Sequence, residues 1–304
     1  MTLKTKDILT LGELTADEFN DLLKTTIKMK ENRNSTLQSK PLQNKTLAMI
    51  FQKPSTRTRI SFEVGMYQLG GYALNLASSE MQLDRGETIE DTARTLSRYV
   101  DCIMARVYDH ESIQRLAKHS TVPVINGLSN SFHPCQTLAD FTTILEHKGS
   151  LQDLRIAWVG DGNNVCNSLI YGAALSEATI YVATPKEYQP ISSAVQYANN
   201  HTEIHLTSNA AEAAKNADVV VTDTFKSIHD ADGARMAKLF PKYQVNDSLM
   251  SLAKDDAIFL HCLPATRGSE VTSSVIDGPR SVVWDEAENR LHSQKTLLLR
   301  LLTD

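Results

Sequence analysis

The chain has 304 residues, 41% of them apolar, enough to fill the cores of two domains of ordinary size. A formal net charge of −5 supplies no basic surplus for a nucleic-acid binder, so any functional cations have to be local. No apolar run approaches the roughly 18 to 20 residues of a membrane span, the opening MTLKTKDILTLGELT is too polar for a signal peptide, and the four cysteines form no CxxC pair. These features predict a cytoplasmic protein without a membrane or nucleic-acid partner, zinc ribbon or disulfide framework.

In chain order, β-rich runs are expected at 46–51 (TLAMIF), 72–77 (YALNLA), 102–108 (CIMARVY), 122–126 (VPVIN) and 155–160 (RIAWVG). They continue at 179–184 (TIYVAT), 203–207 (EIHLT), 218–222 (DVVVT), 257–262 (AIFLHC) and 281–284 (SVVW). Between them apolar residues fall at helical spacing, as at Ile89, Ala93, Leu96 and Val100. Such alternation predicts an α/β fold with doubly wound parallel sheets covered by helices on both faces. These runs are too many for one comfortable sheet. The expected division is therefore a domain at 1–135 and a second at 136–286, joined by a helix near 136–149 that stops at Gly149. The amphipathic segment 287–304 has no strand after it and is expected to pack back on the first domain.

Ligands of open α/β sheets bind beyond the carboxyl ends of the strands. The unusual polar residues cluster there: Ser55, Thr56, Arg57 and Thr58 after the first run, Arg106 near the end of the third, and His133 and Gln136 after the fourth. In the second half Asn163 and Asn164 follow RIAWVG, Asp223 follows DVVVT, and His261 and Cys262 close AIFLHC. Pro54 stops the first strand and Ser55 is a strong N-cap, so a helix begins at STRT with unpaired N–H groups and the positive end of its dipole. Two arginines add forked donors that match phosphate oxygens. The bland alternative is a capped helix with solvated arginines; Arg106 nearby favours a phosphate. His133 is placed to donate to a substrate carbonyl, although a lone histidine is as readily structural.

GDGNN at 160–164 invites a dinucleotide reading, but Val165 stands where the third glycine belongs, and no acidic residue is well placed at the tip of the next strand, which offers a threonine and a proline. Cys262 beside His261 looks like a nucleophile–base pair, yet neighbours in a strand point to opposite faces, and a cysteine is more often a small buried hydrophobe.

With these residues in hand, the chain resembles the aspartate/ornithine carbamoyltransferase family, and its ornithine branch most closely. The resemblance rests on STRT (55–58), QLDRGE (82–87), ARVY (105–108), HPCQ (133–136), GDGNN (160–164), HCLPA (261–265) and DEAENR (285–290), in order along the whole chain. It implies two α/β domains with the active site in the cleft between them, a homotrimer or multiple of trimers, and carbamoyl phosphate and L-ornithine as substrates. It also implies a reaction giving citrulline and phosphate, with no cofactor and no metal. By position, Ser55, Thr56, Arg57 and Thr58 would hold the phosphate, Arg106, His133 and Gln136 the carbamoyl group, and Arg290 would complete the anion clamp. Gln82 would reach a neighbouring subunit's site. Asn164, Asp223, Ser227, Ile228, Cys262 and Leu263 would face ornithine, with Arg57, Arg106, His133 and Cys262 in catalytic roles. The chain departs from the family at the ornithine loop, DTFKSIHDADG, where Ile228 and His229 replace the usual Met-Gly. Ile is stiffer than Met, and His229 does not readily take the positive φ open to glycine. Competing readings are a carbamoyltransferase for putrescine or N-acetylornithine, an NAD-dependent oxidoreductase built on GDGNN, and a non-catalytic phosphate-binding module.

Overall fold

A computed structural model of the chain describes residues 3–32, 38–77, 81–82, 86–225 and 239–303. The chain divides into two compact units, Met1–Thr142 with Glu288–Asp304, and Thr143–Ala287.

The first unit opens with α1 (Ala16–Glu31), started by a capping box in which Thr15 and Glu18 satisfy each other's backbone N–H groups. Strands and helices then alternate: β1 (Thr46–Phe51), α2 (Thr56–Leu69), β2 (Tyr72–Ala77), α3 (Ile89–Leu96), β3 (Cys102–Arg106), α4 (His110–His119), β4 (Val124–Leu128) and α5 (Pro134–Lys148). The sheet runs β2-β1-β3-β4, all parallel. Its inner strands are covered on both faces, so they read as unbroken apolar runs, whereas the edge strand β2 alternates in exposure. Phe19 of α1 meets Phe141 of α5 edge-on, ring centres 5.5 Å apart.

The second unit holds β5 (Arg155–Val159), α6 (Asn164–Ser176), β6 (Thr179–Ala183), α7 (Ser192–Asn199), β7 (Ile204–Thr207), α8 (Ala210–Ala214), β8 (Val219–Thr222), α9 (Asp247–Met250), β9 (Ile258–His261) and α10 (Ser273–Ile276). Its sheet runs β7-β6-β5-β8-β9, again all parallel. The last helix, α11 (Val283–Leu302), begins in this unit and ends in the first. There Lys295 donates to Gln68 of α2 at 3.0 Å, Thr26 of α1 bonds Thr296 at 3.0 Å, and Arg300 pairs with Asp21 at 2.8 Å.

Three expected strands differ by more than one residue at an end. The run 281–284 is not a strand: only Ser281 bridges to Phe259, and Val283 already starts α11, whose first turn carries Asp285 and Glu286 at the positive end of the helix. β4 begins at Val124, not 122, because Pro123 has no N–H to give the ladder. β3 stops at Arg106, where its register against β4 shifts.

Trp158 of β5 is fully buried, and its Nε1 donates to the Asp161 carbonyl at 2.9 Å. Trp158→Ala is expected to cost about 3–5 kcal/mol, read as an earlier urea transition of the second unit.

Candidate active site

In the first unit the chain leaves β1 through Gln52 and Lys53, turns at Pro54 and enters α2 at Ser55. Ser55 is extended (φ −158°, ψ 109°), and its Oγ accepts from the Thr58 N–H at 3.3 Å. This is the capped helix start expected, with Ser55 and Arg57 half-buried, Thr56 exposed and Thr58 buried. The Gln52 N–H donates to the Arg106 carbonyl at 2.9 Å, so the turn is tied to the carboxyl end of β3, where Arg106 itself is buried.

A second cation comes from α11. Arg290, 3% exposed, donates from Nη1 to Gln136 Oε1 at 2.6 Å and from Nη2 to Thr58 Oγ1 at 3.2 Å. Gln136 in turn donates to Asp140 Oδ1 at 2.8 Å, one helical turn further along α5. Three predicted residues, Arg290, Gln136 and Thr58, therefore need a fourth, Asp140, to fix the amide's orientation. The QTLAD spacing places Asp140 on Gln136's face, a signal legible in the sequence.

His133 is buried just before α5. Burial, then the positive charges of Arg290, Arg106 and Arg57, hold its pKa well below the usual 6.5. The ring is thus neutral at physiological pH, and a neutral imidazole keeps one N–H to donate. Lys53, not singled out in the sequence, is also buried, with its ammonium 4.2 Å from the centre of the Tyr108 ring. Burial and Arg106 lower its pKa as well. Gln82 is exposed beyond β2, its carbonyl accepting from the Glu87 N–H at 3.1 Å.

In the second unit Asn163 caps α6, its Oδ1 accepting from the Val165 and Cys166 N–H groups at 2.9 and 3.1 Å. Its Nδ2 donates to Asp223 Oδ2 at 2.8 Å, and the Cys262 thiol donates to Asp223 Oδ1 at 3.1 Å. Asn163, Asp223 and Cys262 thus form one chain at the carboxyl ends of β5, β8 and β9. Asn164, the predicted residue next to Asn163, is the half-buried first residue of α6. Leu263 follows Cys262 in the left-handed region (φ 55°), ahead of a cis bond to Pro264. Ser227 and Ile228, with His229, lie outside the described residues.

Ligand atoms of Asp223, His261 and Cys262 lie within 4.8 Å of one another. Both His261 nitrogens are engaged, however: Nδ1 accepts from the Leu263 N–H at 2.9 Å, and Nε2 lies 3.2 Å from Glu270 Oε1. His261 and Cys262 are close without being a hydrogen-bonded nucleophile–base pair. Nor does GDGNN form an open phosphate loop. Gly162 is packed under other backbone, since a Cβ there would meet Pro190 N at 2.3 Å, and its N–H donates to the Tyr188 carbonyl.

Residues 6–146 match the family model described as the aspartate/ornithine carbamoyltransferase carbamoyl-P binding domain, and residues 152–301 match the Asp/Orn binding domain. The chain is 57% identical to an ornithine carbamoyltransferase of Cenarchaeum symbiosum, covering 99% of both chains. It is 50% identical to an anabolic ornithine carbamoyltransferase of Pyrococcus furiosus, covering 98% of this chain and 96% of that one. A solved ornithine carbamoyltransferase from Pyrococcus furiosus superposes with a TM-score of 0.93 at 49% identity, covering 99% and 98% of the two chains. An anabolic enzyme of that name from Campylobacter jejuni gives 0.91 at 40% identity, covering 98% and 99%.

The cations around His133 set a pH test. A depressed folded pKa means that the unfolded chain binds the extra proton, so this contribution to stability is present above about pH 6.5 and is lost as pH falls below it. Imidazole nitrogen NMR, assigned with His133→Gln, is expected to show a neutral His133 ring at pH 6; a protonated ring there contradicts the assignment.

Proposed function

The chain belongs to the aspartate/ornithine carbamoyltransferase family, and on that premise we propose that it transfers the carbamoyl group of carbamoyl phosphate to the δ-amine of L-ornithine. The products are L-citrulline and phosphate, in the biosynthetic direction that the names of the Pyrococcus and Campylobacter relatives carry. The observation that supports this best is the pairing of a guanidinium cluster around a neutral histidine in one unit with an amide–carboxylate–thiol chain in the other.

In this mechanism Ser55, Thr56, Arg57 and Thr58 bind the phosphate at the amino end of α2, where backbone N–H groups and the dipole favour an anion. Arg290, bonded to Thr58 Oγ1, completes the clamp. Arg106, His133 and Gln136 take the carbamoyl oxygen, and the neutral His133 donates to it without adding another buried charge. The neutral amine attacks the carbamoyl carbon and a C–N bond forms. The resulting oxyanion is stabilised by Arg57, Arg106 and His133. The C–O bond to phosphate then breaks, its electron pair leaving with the phosphate, which takes up the proton lost by the amine. Asn164, Asp223, Ser227, Ile228, Cys262 and Leu263 hold ornithine. Asp223 accepts an N–H bond from the amine and, with the Cys262 thiol on the carboxylate, aims the nitrogen at the carbamoyl carbon.

The enzyme works in the cytoplasm as a homotrimer, with Gln82 entering a neighbouring subunit's site. An exposed apolar row on the first unit supports assembly: Ile60 at 52% and Tyr67 at 80% on α2, Tyr72 at 64% and Leu74 at 37% on the edge strand β2.

The deciding experiment is citrulline formation from carbamoyl phosphate and ornithine, run beside putrescine, N-acetylornithine and aspartate. Turnover with ornithine alone is expected; turnover with another amine instead overturns the acceptor assignment. Arg57→Ala is expected to lower kcat/KM by about 10²–10³ while leaving the circular-dichroism melt unchanged. The rate should also climb with pH between about 6 and 9, because the amine must shed a proton from a Lys-like pKa, and a flat profile contradicts an amine nucleophile.

A further inference from the structure

Glu270 lies outside the residues that touch substrate in the mechanism above, yet it is a fully buried carboxylate beside them in the fold. Its Oε1 accepts from the Thr266 N–H at 2.5 Å and lies 3.2 Å from His261 Nε2. The Leu263 N–H occupies His261 Nδ1, so the neutral ring carries its proton on Nε2 and donates it to Glu270. One carboxylate oxygen therefore ties the end of β9 to the far end of the turn 262–266.

Other contacts hold the two anchors still. The His261 N–H donates to Glu286 Oε2 at 2.8 Å, a second buried carboxylate, and the Val245 N–H donates to the Glu270 carbonyl at 2.8 Å. Inside this closed turn sits Leu263 with its left-handed φ of 55°, a conformation that a branched side chain keeps only where its surroundings impose it. The same turn carries Cys262, whose thiol meets Asp223.

Burying a carboxylate is unfavourable, and Glu270 Oε2 has no hydrogen-bond partner among the described residues. Burial works to raise its pKa, but the bonds from His261 and Thr266 outweigh that and hold it below the usual value. An apolar residue would fill this place at less cost to stability. A charge kept there is accounted for by the geometry it imposes on the turn.

We propose that Glu270 is a positioning residue for the amine acceptor, acting through His261 to hold the 262–266 turn so that Cys262 and Leu263 face the acceptor and the thiol stays on Asp223. The inference rests on the reading of this turn as part of the acceptor site.

Glu270→Gln keeps the shape and one acceptor oxygen but loses the charge. Glu270→Leu removes both bonds. In steady-state kinetics, with the acceptor that the wild-type enzyme turns over in the panel above, Glu270→Gln should raise the acceptor KM about fivefold and Glu270→Leu more. The KM for carbamoyl phosphate should stay within about twofold in both. A variant that folds yet keeps the wild-type acceptor KM, or one that shifts both KM values equally, overturns the proposal. If Glu270→Leu does not fold, Glu270→Gln decides.

A second readout needs no substrate. Cys102, Cys135 and Cys166 are buried and Cys262 is not, so a thiol reagent under native conditions reports on Cys262. Both variants should speed its modification, and an unchanged rate overturns the proposal. Because this measurement is independent of the acceptor, an enzyme that rejects ornithine while passing the thiol test places the fault in the acceptor assignment and not in the turn.

Discussion

A parallel strand cannot pass its chain straight to its neighbour; it must be followed by a crossover, and among the described residues every paired strand is parallel. All carboxyl ends in a sheet therefore emerge at one edge, followed by loops that have no ladder to serve. Arg106 ends β3, His133 follows β4, Asn163 follows β5, Asp223 follows β8 and Cys262 follows β9. Residues far apart in sequence are gathered at the two edges without any long-range signal among themselves. The crossover helices add their own amino ends there, which is why Ser55 and Asn163 cap helices and belong to the candidate site at once.

The same edges concentrate buried charge. A chain of net charge −5 maintains a local positive field in its first unit by burying Arg106 and Arg290 close to His133. The field leaves a mark on the histidine, which cannot add a further cation and stays a neutral donor. Asp140, Glu270 and Glu286 are buried carboxylates of the opposite kind, each fixing a donor that something else depends on: the Gln136 amide, the His261 ring and the His261 N–H. None of the three would be selected for stability alone.

Much of this was legible in the residues. Pro54 before Ser55 announced a helix start crowded with donors, and the run AIFLHC announced a strand ending in chemistry. The expected strand at 281–284 failed because three apolar residues carry the same pattern in a strand and in a buried first helical turn; Asp285 and Glu286 behind them were the better guide. Asn163 and Asn164 are indistinguishable as neighbours, and only the capping geometry shows that Asn163 both starts α6 and meets Asp223. Asp140 stood at a readable spacing from Gln136, whereas Glu270 had no such relation to His261. Its role depends on how a turn closes on itself, which periodicity does not encode.

The course of α11 has a consequence for how the molecule is made. The first unit is written in two stretches of chain, and its second stretch is synthesised only after the whole of the second unit. Arg290, Lys295, Thr296 and Arg300 supply partners to Thr58, Gln68, Thr26 and Asp21. A nascent chain that has exposed every strand of the first sheet still lacks these partners until the second unit has been made as well. The first unit to emerge from the ribosome thus cannot be the first to be finished, and the second can close its own core while the earlier one waits.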